Sequence, residues 1–175
     1  MTKVMTKSIE IEGLDLLGDG ESFRSELCEM IENAPMFNGL SRHEVELLSA
    51  YMRGYRAKAG ATIFEEGSKG LFMCILMEGR VDIFKDSPGA GKKKVAKVRP
   101  GKSMGEMSML DGMPHSATSI ASENCILLML TKMSFEKLSE EHPVLCNKLL
   151  SQIARLMSLR LRQTTGILLD YLDNE

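Results

Sequence analysis

Hydrophobic residues follow a helical period near both ends of this chain and a strand-like period in its middle. The first twenty residues lack sustained periodicity, and we predict an N-terminal tail or a loosely docked arm over residues 1–21. Helical spacing then begins, with apolar residues at Phe23, Leu27, Met30 and Ile31. The proline and glycine of NAPMFNG interrupt regular structure, so the first helix is expected to end there.

A second helix is predicted from the segment SRHEVELLSAYM. Ser41 and Glu44 have the spacing of a capping box, in which the hydroxyl and the carboxylate each accept a hydrogen bond from a backbone N–H at the helix start. The apolar residues that follow recur at helical spacing. The two helices make up a predicted N-terminal helical segment over residues 22–54.

Residues 55–131 have the pattern of short β-strands separated by glycine. The strand-like runs are ATIFEEG, LFMCILMEG, RVDIFKD, KVAKVRPG, ATSIAS and CILLMLT. The glycines between them favour tight corners, since a residue without Cβ turns the chain at positive φ. The pattern predicts mainly β structure with flanking helices, in the form of a jelly-roll-like antiparallel β-roll rather than a parallel α/β sheet.

Residues 132–175 return to helical spacing, with a short helix that ends before Pro143 and a long helix of up to about 30 residues. The long helix carries more apolar residues than one stripe against a core requires. Either it lies over its own β-roll or it has a second partner, and we predict a homodimer through this helix. The expected seam consists of Ile153, Met157, Leu161, Thr164 and Leu168, flanked by Arg160 and Arg162.

Charge, cysteine spacing and hydropathy exclude several classes of protein. A formal net charge of -2 argues against a globally basic nucleic-acid binder. The four cysteines are scattered without a CxxC pair, which is typical neither of a zinc site nor of a disulfide framework, and we expect buried thiols. The longest apolar runs are far shorter than the roughly 20 residues of a membrane span, and the N terminus lacks the apolar core of a signal peptide. We therefore expect a cytoplasmic protein without membrane insertion.

Three motifs in sequence order resemble the cyclic-nucleotide-binding domain. This is the β-roll of the catabolite activator family, of the regulatory subunits of cAMP-dependent protein kinase and of nucleotide-gated channels. PMFNGLS resembles the segment that opens the domain, and AGATIFEEGSKGLFMCILMEGRVDIF resembles its first strands. MGEMSMLDGMPHSATS resembles its phosphate-binding cassette, and the likeness extends over roughly residues 34–165.

The resemblance assigns a ligand site to the cassette. In the family, a short helix that starts at a Gly-Glu pair directs its free N–H groups at the cyclic phosphate, and the glutamate accepts a hydrogen bond from the ribose 2'-hydroxyl. Ser116 matches a position from which some relatives offer a hydroxyl to guanine. The resemblance therefore implies cAMP or cGMP as the ligand, and no metal. The implied ligand-binding residues are Gly105, Glu106, Met107, Ser108, His115, Ser116, Ala117 and Thr118.

His115 departs from the family pattern, because it stands in PHSAT where the family has PRxAT and pairs the arginine with phosphate. A guanidinium is always charged, whereas imidazole, with an ordinary pKa of about 6.5, is mostly neutral at neutral pH. We expect the loss to weaken binding by about ten- to a hundredfold. If His115 takes the phosphate, affinity should rise as the pH falls from about 8 to 6.

The alternative is a ligand-free β-roll that serves as a dimerisation or scaffold module. In that case Glu106 caps its own turn and His115 faces solvent. The family's transcription factors continue into a helix-turn-helix domain that has no counterpart here, so direct DNA binding is not expected. We expect a stand-alone regulatory module that relays its ligand state through the C-terminal helix to a downstream protein partner, which the sequence does not identify.

Other candidate sites are weaker. GAGKKK lacks both the first glycine of a phosphate loop and the Ser or Thr after its lysine. The three histidines have no metal-ligand spacing, and no nucleophile with a base stands out, so we expect no enzyme. A basic cluster on a predicted hairpin loop is either solvated or docks to an acidic partner. Its members are Lys92, Lys93, Lys94, Lys97 and Arg99.

Overall fold

A computed structural model describes residues 13–18, 21–87, 89 and 91–172 of the chain. The elements in chain order are β1 (Leu14–Gly18), α1 (Glu21–Asn33), a 3-10 turn (Pro35–Phe37), α2 (Arg42–Ser49), β2 (Met52–Ala57), β3 (Thr62–Phe64), β4 (Phe72–Glu78), β5 (Val81–Ser87), β6 (Gly91–Val98), β7 (Ser103–Met104), α3 (Glu106–Asp111), β8 (Thr118–Ala121), β9 (Cys125–Thr131), α4 (Lys132–Glu141) and α5 (Pro143–Leu172).

The strands of the described residues form two antiparallel sheets. One sheet has the order β1-β2-β9-β4-β7, and the other has the order β3-β8-β5-β6. A buried apolar cluster draws side chains from both sheets, including Tyr55, Ile63, Leu76 and Val81. All four cysteines are buried and unpaired, as expected from their spacing. The predicted antiparallel β-roll with flanking helices is confirmed.

Residues 14–18 of the predicted tail or docked arm form strand β1, so they are not a free tail. This strand pairs with β2, with Leu14 opposite Ala57 and Leu16 opposite Tyr55. The partner lies about 40 residues away in the sequence, and a five-residue strand has too few positions to establish a period of its own. Residues 1–12, 19 and 20 of the predicted segment lie outside the described residues. The predicted helical segment 22–54 also ends early, since β2 begins at Met52.

The capping box predicted for the second helix is confirmed. The Ser41 hydroxyl accepts from the backbone N–H of Glu44 at 3.3 Å, and the Glu44 carboxylate accepts from the backbone N–H of Ser41 at 2.9 Å. The same carboxylate accepts from the Lys148 ammonium at 2.7 Å, and this bond joins α5 to α2. The Lys148 ammonium and the Ser41 N–H lower the pKa of Glu44 to about 2.

The lysine-rich segment is a strand and not the predicted loop. Among the described strands β6 pairs only with β5, so it forms one edge of its sheet. Lys94 forms an ion pair with Asp82 of β5. Lysines on an exposed edge hinder pairing with a strand of another molecule, which gives this charge a structural role.

Helix α5 has two halves with different surroundings. In its first half Leu145, Leu149 and Ile153 are buried in a cluster with side chains of α1, α2 and β9. Its second half carries exposed apolar side chains, including Leu161 and Leu168. The helix therefore covers its own domain and also presents an apolar surface, while the homodimer through it stays a prediction. Within the part of the chain that the structure describes, no helix is both long enough and apolar enough to cross a bilayer.

Candidate functional site

A cavity of about 510 Å³ opens between the second sheet, the cassette that contains α3, and the second half of α5. The sheet contributes Phe64, Ile83, Val95, Ala96, Lys97 and Val98. Strand β7 with the residue before it, and the cassette, contribute Lys102, Ser103, Met104, Gly105, Glu106, Met107, Ser108, His115, Ser116 and Ala117. Helix α5 contributes Arg160, Gln163, Thr164 and Ile167.

The cassette lies close to the loop before β4 because two glycines leave room for it. Gly105, the residue before α3, has φ +81°, and a Cβ there would lie 2.9 Å from the carbonyl oxygen of Phe72. At Gly70 a Cβ would lie only 2.1 Å from the Cβ of Ser108. Side chains at these positions would push α3 away from β4, so both glycines determine where the cassette lies.

Glu106 is buried, with 1% of its surface exposed, and its carboxylate forms an ion pair with Arg160 of α5. The same guanidinium also donates to the backbone carbonyl oxygen of Ser103. The second carboxylate oxygen of Glu106, Oε2, is buried and has no hydrogen-bond partner among the described residues. An acceptor of this kind is costly unless a donor reaches it, and a ligand hydroxyl in the cavity would be such a donor.

His115 is only 3% exposed, so the alternative in which it faces solvent is wrong. Its ring stacks on Phe64 with centroids 4.0 Å apart and planes inclined by 10°. Its backbone is held by the loop between β3 and β4, since its N–H donates to Ser68 and its carbonyl accepts from Gly67. Burial lowers the pKa of His115 below its ordinary value, so the ring is neutral at neutral pH. Its Nε2 atom is buried and has no hydrogen-bond partner in the part of the chain that is described.

The structure brings seven of the eight predicted ligand residues to the cavity wall, Thr118 being the exception. Thr118 is buried beneath the wall, and its hydroxyl accepts a hydrogen bond from the backbone N–H of Glu66 at 3.0 Å. Its place in β8 therefore serves the fold. That the other seven bind a ligand stays a prediction.

The residues of α5 at the cavity were not predicted as part of the site. Arg160, Gln163, Thr164 and Ile167 follow the i, i+3, i+4, i+7 spacing of one helix face. The sequence shows this spacing, but the helix is apolar on several sides, and the spacing alone does not reveal which side faces the cassette. Thr164 was predicted for the dimer seam, and the structure places it at the cavity.

The permanent charges that the described residues bring to the cavity are three cations and one carboxylate. The cations are Lys97, Lys102 and Arg160, and the carboxylate is that of Glu106. A buried neutral His115 adds no charge to this set. Among the residues that the structure describes there is no cluster of His, Cys, Asp and Glu that could hold a metal ion. The site can therefore accommodate an organic anion that also carries hydroxyl donors.

Comparisons with known proteins agree with this geometry. The family model of the cyclic nucleotide-binding domain matches residues 56–142. The crystal structure of a cyclic nucleotide-binding domain from Methylobacillus flagellatus KT is 32% identical, aligns with 90% of this chain and 88% of that chain, and superposes with a TM-score of 0.78.

Two longer regulators are also similar to this chain. The cyclic AMP receptor protein of Thermus thermophilus is 31% identical over 125 residues, which are 71% of this chain and 58% of that protein. The cAMP-dependent protein kinase regulatory subunit of Blastocladiella emersonii is 24% identical over 68% of this chain and 30% of that protein. This chain thus matches only part of the length of each regulator. On the family model, the cassette and the near-complete alignment with a solved domain, the chain belongs to the cyclic nucleotide-binding domain family.

Proposed function

We propose that this chain is a non-enzymatic, cytoplasmic regulatory module that binds cAMP or cGMP in the cavity and relays its occupancy through α5. The observation that carries this proposal is the ion pair between Glu106 of the cassette and Arg160 of α5. Glu106 matches the glutamate that binds the ribose in this family, and Arg160 belongs to the C-terminal helix α5. A ligand that changes this pair changes the position of α5.

Two buried atoms without partners among the described residues support a ligand with hydroxyl groups. Glu106 Oε2 can accept a hydrogen bond from a ribose hydroxyl, and His115, whose Nε2 has no partner among the described residues, lines the same cavity. The cavity wall has three cations and one carboxylate, so it can also hold a phosphate group next to the Glu106 carboxylate. Ser116 lies at the wall as well, where its hydroxyl can reach a purine edge and contribute to the choice between the two bases.

Titration calorimetry with cAMP and cGMP tests this proposal. Replacing Glu106 with alanine is expected to weaken binding by about ten- to a hundredfold, because a hydrogen bond to a charged acceptor is lost. Glu136→Ala is the matched control, since this exposed glutamate lies on α4 outside the cavity. Absence of binding to the wild-type chain at millimolar ligand would favour the ligand-free scaffold instead.

The exposed half of α5 supports a homodimer, although with a seam that differs from the predicted one. Ile153 is only 1% exposed and packs in the domain's own core, and Met157 packs against the same cluster. The exposed face of α5 instead has alternating spacings of four and three residues, which suit a short two-helix contact. The residues on this face are Ala154, Ser158, Leu161, Thr165 and Leu168.

Replacing both Leu161 and Leu168 with glutamate is expected to convert a dimer into a monomer at micromolar concentration. These side chains are 69% and 58% exposed, so the single chain loses little packing. Leu159→Glu is a control for the effect of a glutamate on α5, because it places one such residue on a different face of the helix. Sedimentation velocity measures the outcome, and a dimer that survives the double substitution would contradict this seam.

A further inference from the structure

The cassette lacks the cation that the bound phosphate requires, and one side chain of α5 is placed to supply it. We infer that Arg160 is the phosphate-binding residue of this domain and that it exchanges its ion pair with Glu106 for one with the phosphate of the ligand. This inference rests on the proposed function, since it concerns the same cavity. It identifies a residue outside the cassette that determines whether the site prefers a charged ligand.

His115 cannot supply the charge at neutral pH. The ring is buried and stacked on Phe64, and burial lowers its pKa. A buried phosphate without a permanent cation is unfavourable, because removing an anion from water requires a compensating charge. The cation must therefore come from another position on the cavity wall.

Arg160 meets this requirement better than the two lysines at the cavity. All three side chains are exposed, that of Arg160 by 43%, but neither Lys97 nor Lys102 forms an ion pair with another described residue. The Arg160 guanidinium instead reaches inward to the buried Glu106 carboxylate and to the backbone of Ser103, close to the start of the cassette helix. A guanidinium can bind two oxygens of one phosphate at once, whereas a hydrated ammonium acts as a point charge.

The exchange also frees the Glu106 carboxylate to bind the ribose when the ligand is present. One carboxylate oxygen of Glu106 is taken by Arg160, and the other has no partner within the described part of the chain. When the guanidinium turns to the phosphate, the carboxylate can accept from the ribose hydroxyl, so the buried carboxylate keeps a hydrogen-bond partner. Because Arg160 belongs to α5, this exchange makes the position of the helix depend on the charge of the ligand.

Calorimetry with cAMP and uncharged adenosine separates this role from a merely structural one. The wild-type chain is expected to bind cAMP more tightly than adenosine. Arg160→Gln should lower the affinity for cAMP by about tenfold or more, whereas the affinity for adenosine should change by less than about threefold. Arg162→Gln is the matched control, since it removes an exposed positive charge from the same helix at a position outside the cavity lining. Adding His115→Arg to Arg160→Gln should restore the preference for cAMP.

Each other result contradicts the inference in a distinct way. An equal loss of affinity for cAMP and for adenosine in Arg160→Gln would show that Arg160 only stabilises the fold of the site. An unchanged preference for cAMP in that variant would place the cation elsewhere, while the proposed function would survive. If neither compound binds the wild-type chain, Arg160→Gln or His115→Arg at millimolar concentration, the proposed function itself is wrong, and the phosphate assignment with it.

Discussion

Replacing His115 with arginine is expected to tighten cAMP binding at pH 7.5 by about ten- to a hundredfold, because a charge-assisted bond to phosphate is added. Position 115 lies at the cavity wall beside Gly105, whose hypothetical Cβ would be 3.4 Å from the His115 ring. A guanidinium at this position is therefore close enough to the cassette to reach a ligand. Calorimetry on both proteins at one salt concentration measures the change, and equal affinities would contradict a phosphate subsite beside residue 115.

The same substitution is expected to lower the stability of the chain in the absence of cAMP. The native imidazole is buried and stacked on Phe64, and an unpaired guanidinium in its place has to lose water or leave the stack. Thermal unfolding should therefore begin at a lower temperature without ligand, and saturating cAMP should raise the unfolding temperature by more than it does in the wild-type chain.

The structure shifts the pH dependence of binding that the sequence predicted for His115 to lower pH. Because burial lowers the pKa of His115, protonation is coupled to binding only below the ordinary pKa of about 6.5, and wild-type affinity should be flat from about pH 8 to 7. The unfolded chain binds the proton more readily than the folded chain does. The contribution of the neutral ring to stability is therefore complete above about pH 6.5 and is lost as the pH falls towards the lowered pKa. His115→Arg should remove both dependences.

A Gly70→Val substitution is expected to destabilise the chain by more than about 3 kcal/mol, the largest loss of stability that we predict. A Cβ at residue 70 would lie 2.1 Å from the Cβ of Ser108 and 2.6 Å from its carbonyl carbon. The second contact involves backbone, so a rotamer change of Ser108 cannot relieve it. Urea unfolding with a check of the slope measures the loss.

Two comparisons make this result specific to the contact between the loop and α3. Adding Ser108→Gly to Gly70→Val should recover only part of the stability, because the backbone of residue 108 remains in place. Gly166→Ala should have the opposite sign, with a gain of about 0.5–1 kcal/mol, since Gly166 lies in α5 with no described atom near its Cβ position. Wild-type stability in Gly70→Val would contradict the observed position of the cassette.

The sequence predicted the β-roll and the start of α2 well because both depend on local patterns. The strand-like runs that became β4, β5 and β9 are short and bounded by turns, and Ser41 with Glu44 form the capping box that their spacing implies. Strand β1 was missed because its pairing with β2 is a long-range interaction. A strand of this length is specified by its partner as much as by its own residues.

The site was harder to predict where it depends on tertiary contacts. His115 was recognised from its position in the motif, but its burial against Phe64 follows from the packing of β3 on the cassette. Arg160 was assigned to the flank of a dimer seam, because nothing local distinguishes the face of α5 that meets Glu106. Ile153 was misplaced for the same reason. Helical periodicity shows which side chains share a face of the helix, whereas contacts with other elements decide which face packs against the domain.

The bond between Lys148 and Glu44 attaches the first half of α5 to α2. Together with the buried side chains up to Ile153, it holds the first half of the helix on α2, so that a rotation of the second half would pivot near residue 153. At 1.5 Å per residue, Arg160 lies about 10 Å from this pivot and Leu168 about 22 Å from it. A shift of the arginine towards a ligand would therefore be roughly doubled at Leu168, on the exposed face of α5 that we propose as the dimer seam.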